Sequence, residues 1–368
     1  MVTFTYIIFG LLMGITIYFT HLFVIYTISD IYNQRKKLIP KQLYIKLAKI
    51  LGIYLFIFLF FWYSSSFLYS IIYIIGFSYL GFFINVLMGC GIYKLIKKYK
   101  NISLNFSKII IFIIPFIITI YSLINAQIMV FQEETLIYPQ YNNTIKILHL
   151  TDMHLGAIYQ KGTVENIIKI IEDKKPDVVV ITGDLSDGSL KVESEWLEPF
   201  NKIPDSIPIL YITGNHENLY GKKEIINEVN KIRKIKHIGN TVLNIKGVLF
   251  IGVDYEYKDI KTRAKFLLDS IELKDNKIPT VLLYHIPKIT PKDLNKIGIF
   301  LMLSGHTHGG QIFPFTILSW LYNTCFSGLY NYNNSNYVYV STGIGTALTP
   351  MRIFSSKMVA LITIKGFK

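Results

Sequence analysis

The sequence predicts a multi-span α-helical membrane region followed by a layered α/β domain, and three observations carry that prediction. Up to residue 131 the chain consists largely of four long apolar runs, near 3–27, 47–64, 66–91 and 109–131. From about Thr144 it changes to short β-branched runs such as "IKILHL", "DVVVIT" and "PILYIT". Between the first two lies an amphipathic helical stretch, so strand, helix and strand follow one another as in a βαβ unit.

Each apolar run reaches or approaches the ~20 residues that cross a ~30 Å hydrocarbon core as a helix. The runs are apolar on every face, whereas the core helix of a soluble protein shows one apolar stripe. They raise the whole chain to 51% hydrophobic residues and a mean hydropathy of +0.39. The first run does not read as a cleavable signal, because Met1 to Ser29 holds no Lys or Arg and the stretch exceeds an h-region. His21, inside it, reads as a partner for a neighbouring helix.

The net charge of +14 does not point to nucleic acid. Arg35, Lys36, Lys37, Lys41 and Lys46 border one side of the spans, and Lys94, Lys97, Lys98, Lys100 and Lys108 follow the third run. No Arg-rich stripe with interleaved aromatics occurs, so the expected partners are the bilayer and its anionic headgroups. Basic loops stay in the cytoplasm. With four spans, the domain that follows is therefore expected outside the cytoplasmic membrane. The two cysteines, Cys90 and Cys325, supply neither a disulfide framework nor a thiolate zinc site.

The expected domain limits are a membrane region at 1–131, a linker at 132–143 marked by Glu133, Glu134 and Pro139, and an α/β domain at 144–368. Its first helix is read from Val164, Ile167, Ile168 and Ile171 at i, i+3, i+4, i+7 spacing, with Thr163 as N-cap. "GVLFIGV", "TVLLYH" and "IFLMLS" extend the strand series. Near-continuous apolar strands are expected where both faces of a sheet are covered.

Five of these strands run straight into polar residues. Asp152 and His154 follow the first, and Asp184 and Asp187 the second. Asn215, His216 and Glu217 follow the third. His285 ends another, and "GHTHGG" delivers His306 and His308. The carboxyl edge of an α/β sheet is where sites assemble. Asp152, His154, Asp184, Asn215, His285, His306 and His308 mix oxygen with imidazole and include no thiolate. Seven ligands exceed one tetrahedral ion and suit two divalent ions sharing a carboxylate, with Mn, Fe, Zn and Co all compatible.

In order, these are D-x-H, G-D-x-x-D, G-N-H-E, a single His and G-H-x-H. On this set the chain resembles the calcineurin-like metallophosphoesterases over about residues 145–360. "GHTHGGQ" with "STGIGTALTPMR" looks most like their bacterial membrane-associated branch. The resemblance implies two mixed β-sheets packed face to face and flanked by helices. It places Asp152, His154 and His308 on one ion, Asn215, His285 and His306 on the other, and Asp184 between them. His216 is then the proton donor to the leaving oxygen and Asp187 the acid that orients it. The implied activity is hydrolysis of a phosphoester by a hydroxide held between the ions. A sensor or scaffold that binds without turnover is the competing reading, although no motif residue is missing.

Tethering to a bilayer favours a diester or pyrophosphate, lipid-linked substrates included. "FPFTILSWLYNTCFSGLYNYNNSNY", apolar then polar, reads either as core plus loop or as a lip at the membrane interface, where Trp and Tyr concentrate. Arg352 is a candidate phosphate-binding residue. His149 reads as structural, and His237 as a surface residue without a role.

Overall fold

The computed structural model describes residues 18–31, 42, 46, 67–256, 259–270 and 278–367. The second apolar run and most of the first lie outside them. The chain divides into two compact units, Met1–Ile124 and Asn125–Lys368.

In the first unit, α1 covers residues 18–31, α2 is Phe67–Lys97 and α3 is Leu104–Asn125. Among the described residues, two helices are long and apolar enough to cross a membrane, within α2 and α3. They coincide with the third and fourth apolar runs. Their contacts are those expected in an apolar medium, where polar side chains pair with one another. His21 Nε2 meets Tyr79 Oη at 2.9 Å, as anticipated, and Asn85 Nδ2 donates to Thr119 Oγ1 at 2.9 Å. Lys97 donates to Asp30 at 2.8 Å.

The second unit holds, among the described residues, two six-stranded mixed sheets. The first contains β1 (Met129–Ile137), β2 (Thr144–Leu150), β3 (Val178–Thr182), β4 (Ile209–Ile212), β5 (Ile235–His237) and β12 (Lys357–Lys365), in the order β1-β12-β2-β3-β4-β5. The second contains β6 (Thr241–Ile245), β7 (Val248–Gly252), β8 (Thr280–Leu283), β9 (Leu301–Ser304), β10 (Gly328–Tyr332) and β11 (Asn336–Val340), ordered β10-β11-β9-β8-β7-β6. Strands β2 to β5 are parallel, as are β7, β8, β9 and β11.

Side-chain alternation explains the layers. Ile145, Ile147, Val178 and Val180 from one sheet pack with Val248, Phe250, Val281 and Leu283 from the other. The opposite parity of the first sheet, Leu148, Val179 and Ile181, packs on α4 (Lys161–Lys174) through Val164, Ile167, Ile168 and Ile171, in a cluster that also takes in Ile225 and Val229 of α5 (Lys222–Asn230). The other parity of the second sheet, Leu249, Ile251 and Leu282, packs on α6 (Ile260–Asp269) and α7 (Pro291–Ile297). Burying the four α4 side chains contributes about 6–12 kcal/mol at about 1.5–3 kcal/mol each. One acidic substitution at Ile167 would therefore detach that helix.

Two boundaries differ from the sequence reading. The expected linker and the end of the fourth apolar run form β1, paired with β12 from Met129↔Lys357 to Ile137↔Lys365. Its Glu133 is exposed because β1 is an edge strand, where charge is tolerated. Helix α4 begins at Lys161 behind Gln160, so Thr163 lies within its first turn and does not cap it. The first N–H groups of a helix need no intrahelical partner, which lets the added turn form on a sequence containing Gly162.

Candidate metal centre

Strands β2, β3, β4, β8 and β9 end side by side, and the residues after them turn sharply. Asp152, His154, Asp184, His306 and His308 all adopt positive φ, between 47° and 72°. Each such non-glycine residue costs about 1–3 kcal/mol and persists only where its surroundings hold it. Here they do. Asp152 N–H donates to Gly183 O at 3.1 Å and His154 N–H to Asp184 O at 3.0 Å. His306 N–H donates to the Asp152 carboxylate at 3.0 Å, and His216 N–H to Asp184 Oδ1 at 2.9 Å. Gly305 admits this approach, since a Cβ there would sit 2.0 Å from Asp152 Oδ2.

The expected ligands converge in overlapping clusters. Asp152, His154 and His308 form one, with His154 Nε2 3.0 Å from His308 Nε2 and Asp152 Oδ1 3.3 Å from His308 Nε2. Asp184, His285 and His306 form another. Asp184 Oδ2 lies 3.1 Å from His285 Nε2 and 3.9 Å from His154 Nε2, so it faces both. A third grouping, His154, Asp184 and His216, brings His216 nearer the ligand atoms than its expected role required.

The donors fit a cation. His285 Nδ1 faces the Thr182 carbonyl at 2.9 Å, and a carbonyl only accepts, so Nδ1 carries the proton. Its Nε2 nevertheless faces two oxygens, Asp184 Oδ2 and, at 3.1 Å, Asn215 Oδ1. Such a meeting of acceptors requires a second proton or a shared positive ion. The titration tendencies agree. Burial opposes charge on His285, but Asp184 outweighs it and raises the group to about 10. Burial, then the charge of His285, lowers His306 to about 4. Burial and then His216 hold His154 far below its ordinary range. Asp184 stays ionised against burial because His285 and His216 face it.

The calcineurin-like phosphoesterase family model matches residues 145–310. A metallophosphoesterase of Aquifex aeolicus is 32% identical over 228 residues, covering 60% of this chain and 85% of that protein. The chain belongs to the calcineurin-like metallophosphoesterase family. A Helicobacter pylori metallophosphoesterase is 34% identical over 232 residues, 62% of each chain. A Danio rerio transmembrane protein with a metallophosphoesterase domain is 28% identical over 272 residues, 69% of this chain and 61% of that one. The chain thus spans 62% of the length of the Helicobacter pylori relatives it matches.

In this metallophosphoesterase some side chains take roles the sequence did not disclose. Asp187 meets His216 through its backbone, whose carbonyl lies 3.0 Å from Nδ1. Its carboxylate turns away to Ser189 Oγ at 2.6 Å and Ser189 N at 2.7 Å, and burial raises it to about 6. The expected carboxylate–imidazole pair is therefore replaced by a carbonyl–imidazole pair, because the serine two residues on captures the acid. Arg352, a candidate for phosphate, is 0% exposed. Its guanidinium donates to the carbonyls of Thr342 (2.7 Å), Gly345 (2.6 Å) and His308 (3.2 Å). It thus ties the "STGIGTALTPMR" loop to the histidine turn.

Glu217, which follows β4, ties neighbouring loops together. Its buried carboxylate accepts from the N–H groups of Leu185 (2.6 Å), Gly214 (2.7 Å), Asp184 (3.2 Å) and Ser186 (3.4 Å). Burial and then Asp184 push its pKa up, while the Gly214 N–H pulls the other way. His237 also has work: it ends β5 and lies 3.1 Å from Asp254, which accepts from Thr213 N–H at 2.9 Å. His149 is packed between the sheets, 2.7 Å from Thr182 Oγ1, and burial lowers it to about 3.

Proposed function

We propose that this chain is a membrane-anchored, metal-dependent phosphoester hydrolase acting on a diester or pyrophosphate. The convergence of oxygen and imidazole donors from five strand ends carries the reading. Asp152, His154 and His308 would hold one divalent ion, and Asn215, His285 and His306 the other. Asp184, facing both groups, would be shared. Such ions, when bound, lower the pKa of coordinated water and offset charge on the phosphoryl oxygens.

The chain's own residues supply the rest. His216 Nδ1 faces a carbonyl and so keeps its proton, leaving Nε2 directed to the centre, 4.0 Å from Asp184 Oδ2. Burial disfavours the imidazolium, yet Asp184 and the Asp187 carbonyl raise its pKa above the ordinary value. A protonated Nε2 in that position gives its proton to the leaving oxygen. The Asp187 carbonyl fixes the tautomer, and Glu217 fixes the loops that carry Asp184 and His216.

Anchoring is supported by the apolar α2 and α3 helices, and a relative named as a transmembrane protein points the same way. The test is metal analysis with hydrolysis of bis(p-nitrophenyl) phosphate by the purified full chain. Chelation should abolish turnover and Mn should restore it, with two ions bound per loaded chain. Asp184→Asn should lose more activity than substitution of any unshared ligand. A fully loaded chain with one ion or none, or a rate indifferent to chelation, refutes the assignment.

A further inference from the structure

Helix α8 (Phe315–Tyr322) begins five residues after the 3-10 turn His308–Gly310, and its polarity is inside out. Soluble domains turn the apolar side of a surface helix inward. Here Thr316 and Ser319 face the histidine turn. Ser319 Oγ donates to Thr307 O at 3.4 Å, between the two histidines, and Asn323 continues the same stripe at i+4. A Cβ on Gly310, at φ +74°, would meet Thr316 Cα at 2.2 Å, so glycine is what lets the helix sit this close. None of the eight helix residues is buried. Leu318, Trp320, Leu321 and Tyr322 are 50–88% exposed.

A second apolar projection lies on a loop bonded to Gln311, four residues before the helix. Ile353 N–H donates to Gln311 O at 2.7 Å, which fixes the neighbouring Phe354, 79% exposed and at φ +62°. Exposed apolar surface of this extent on one helix marks an interaction site. What covers it follows from the chain's own course. Asn125, the last residue of the 22-residue apolar helix α3, donates through Nδ2 to Arg352 O at 3.1 Å and to Ser355 O at 2.9 Å. These carbonyls flank Phe354. Asn125, with which the second unit begins directly after that apolar stretch of chain, is therefore hydrogen-bonded to the loop that carries the exposed phenylalanine.

We infer that the outer face of α8, together with Phe354, seats in the interfacial layer of the bilayer and forms a lip for substrates carried on lipids. Trp320 and Tyr322 suit the headgroup level, and Phe315, Leu318 and Leu321 the acyl boundary. Because α8 rests on the turn between His306 and His308, a phosphoester in the headgroup of a lipid lies within reach of the metal centre. That substrate class rests on the phosphoesterase reading above, whereas the seating itself does not.

The test uses the full chain in nanodiscs, with Cys90→Ser and Cys325→Ser and a single bimane-labelled cysteine at Leu318→Cys, Phe354→Cys or, as control, Lys169→Cys on exposed α4. Nitroxide-bearing lipids should quench the labels at 318 and 354 and leave the label at 169 bright. Aqueous iodide should give the reverse order. Iodide quenching at 318 equal to that at 169 overturns the seating, and protection of 318 from both quenchers overturns it in favour of a second copy of the chain.

For the substrate class, Leu318→Glu with Leu321→Glu should lower hydrolysis of phosphatidyl-p-nitrophenol in the nanodisc roughly tenfold or more through lost positioning. Soluble bis(p-nitrophenyl) phosphate should be hydrolysed as by the unsubstituted chain. Equal losses on both esters, or none on either, overturn the lip. An unsubstituted chain inert on both esters would sink the phosphoesterase reading alone, with quenching still deciding the surface.

Discussion

Glu217→Gln gives a sharp test of how the centre is built, because it changes one oxygen to an NH2 group at nearly constant volume. Oε1 accepts from Leu185 and Ser186, and Oε2 from Asp184 and Gly214. A glutamine oxygen can serve one of these pairs. Its amide nitrogen must then face the other pair, donor against donor. Two buried N–H groups lose their acceptor, at about 1–3 kcal/mol each, so the loss is about 4 kcal/mol at the midpoint. For a domain of this size that lowers the melting temperature by roughly 8–16 °C.

The assay is thermal unfolding of the full chain in detergent, followed by near-ultraviolet circular dichroism, with and without metal. Because Asp184 is among the residues released, metal affinity should fall with stability. Glu217→Ala frees all four N–H groups and should fall at least as far. A glutamine variant melting within about 2 °C of the wild type, with metal affinity intact, would show that Glu217 does not hold the two loops together.

Three further outcomes are expected. His216→Ala should lose about 10²–10⁴-fold in rate with unchanged metal content, and less for very acidic leaving groups; metal loss would instead make His216 a ligand. Asp254 is pushed up by burial, but His237 and Lys222 outweigh this and hold it well below the carboxylate range. Its stabilising effect is thus present above an unfolded pKa of about 3.9 and lost as pH falls further. Asp254→Asn should therefore cost about 3–5 kcal/mol at pH 7, with the gap from wild type narrowing in urea titrations below about pH 4. Finally, if four spans place the α/β domain outside, as the basic loops predict, protease added to intact cells should remove it; protection until the membrane is opened would mean an odd number of spans or the reverse orientation.

The grouping of the candidate metal ligands was legible because it is written into residue types at strand ends. Asp152, His154, Asp184, Asn215, His285, His306 and His308 needed only the carboxyl-edge rule to be grouped. The inter-sheet core was legible in the same way, from apolar runs such as "DVVVIT". What could not be read depends on pairing across long separations. β1 carries Glu133 and Glu134 and resembles a linker until its partner β12, more than 200 residues on, is known. The turn of the Asp187 carboxylate toward Ser189 is local, yet it competes with an equally local histidine contact, and composition does not decide between them. Arg352 is a charge at a site's edge by sequence and a buried clasp on carbonyls by structure.

Acidic side chains in this centre are also mechanical parts, which sequence reading by ligand type overlooks. Asp152 takes the His306 N–H, Asp184 the His216 N–H, Glu217 four N–H groups and Asp254 the Thr213 N–H. All but the Gly214 bond to Glu217 join loops that follow different strands, and no disulfide could replace them, since the two cysteines are free and buried. The left-handed backbone at the candidate ligand positions is held by these carboxylates together with backbone bonds such as Asp152 N–H to Gly183 O and His154 N–H to Asp184 O. An alanine at Asp152 or Asp184 therefore removes a candidate ligand and releases a neighbouring loop together, whereas asparagine keeps an oxygen for the N–H. Comparing the two substitutions at each position separates the electrostatic role of the charge from the structural role of the acceptor: activity should follow the charge, and stability the oxygen.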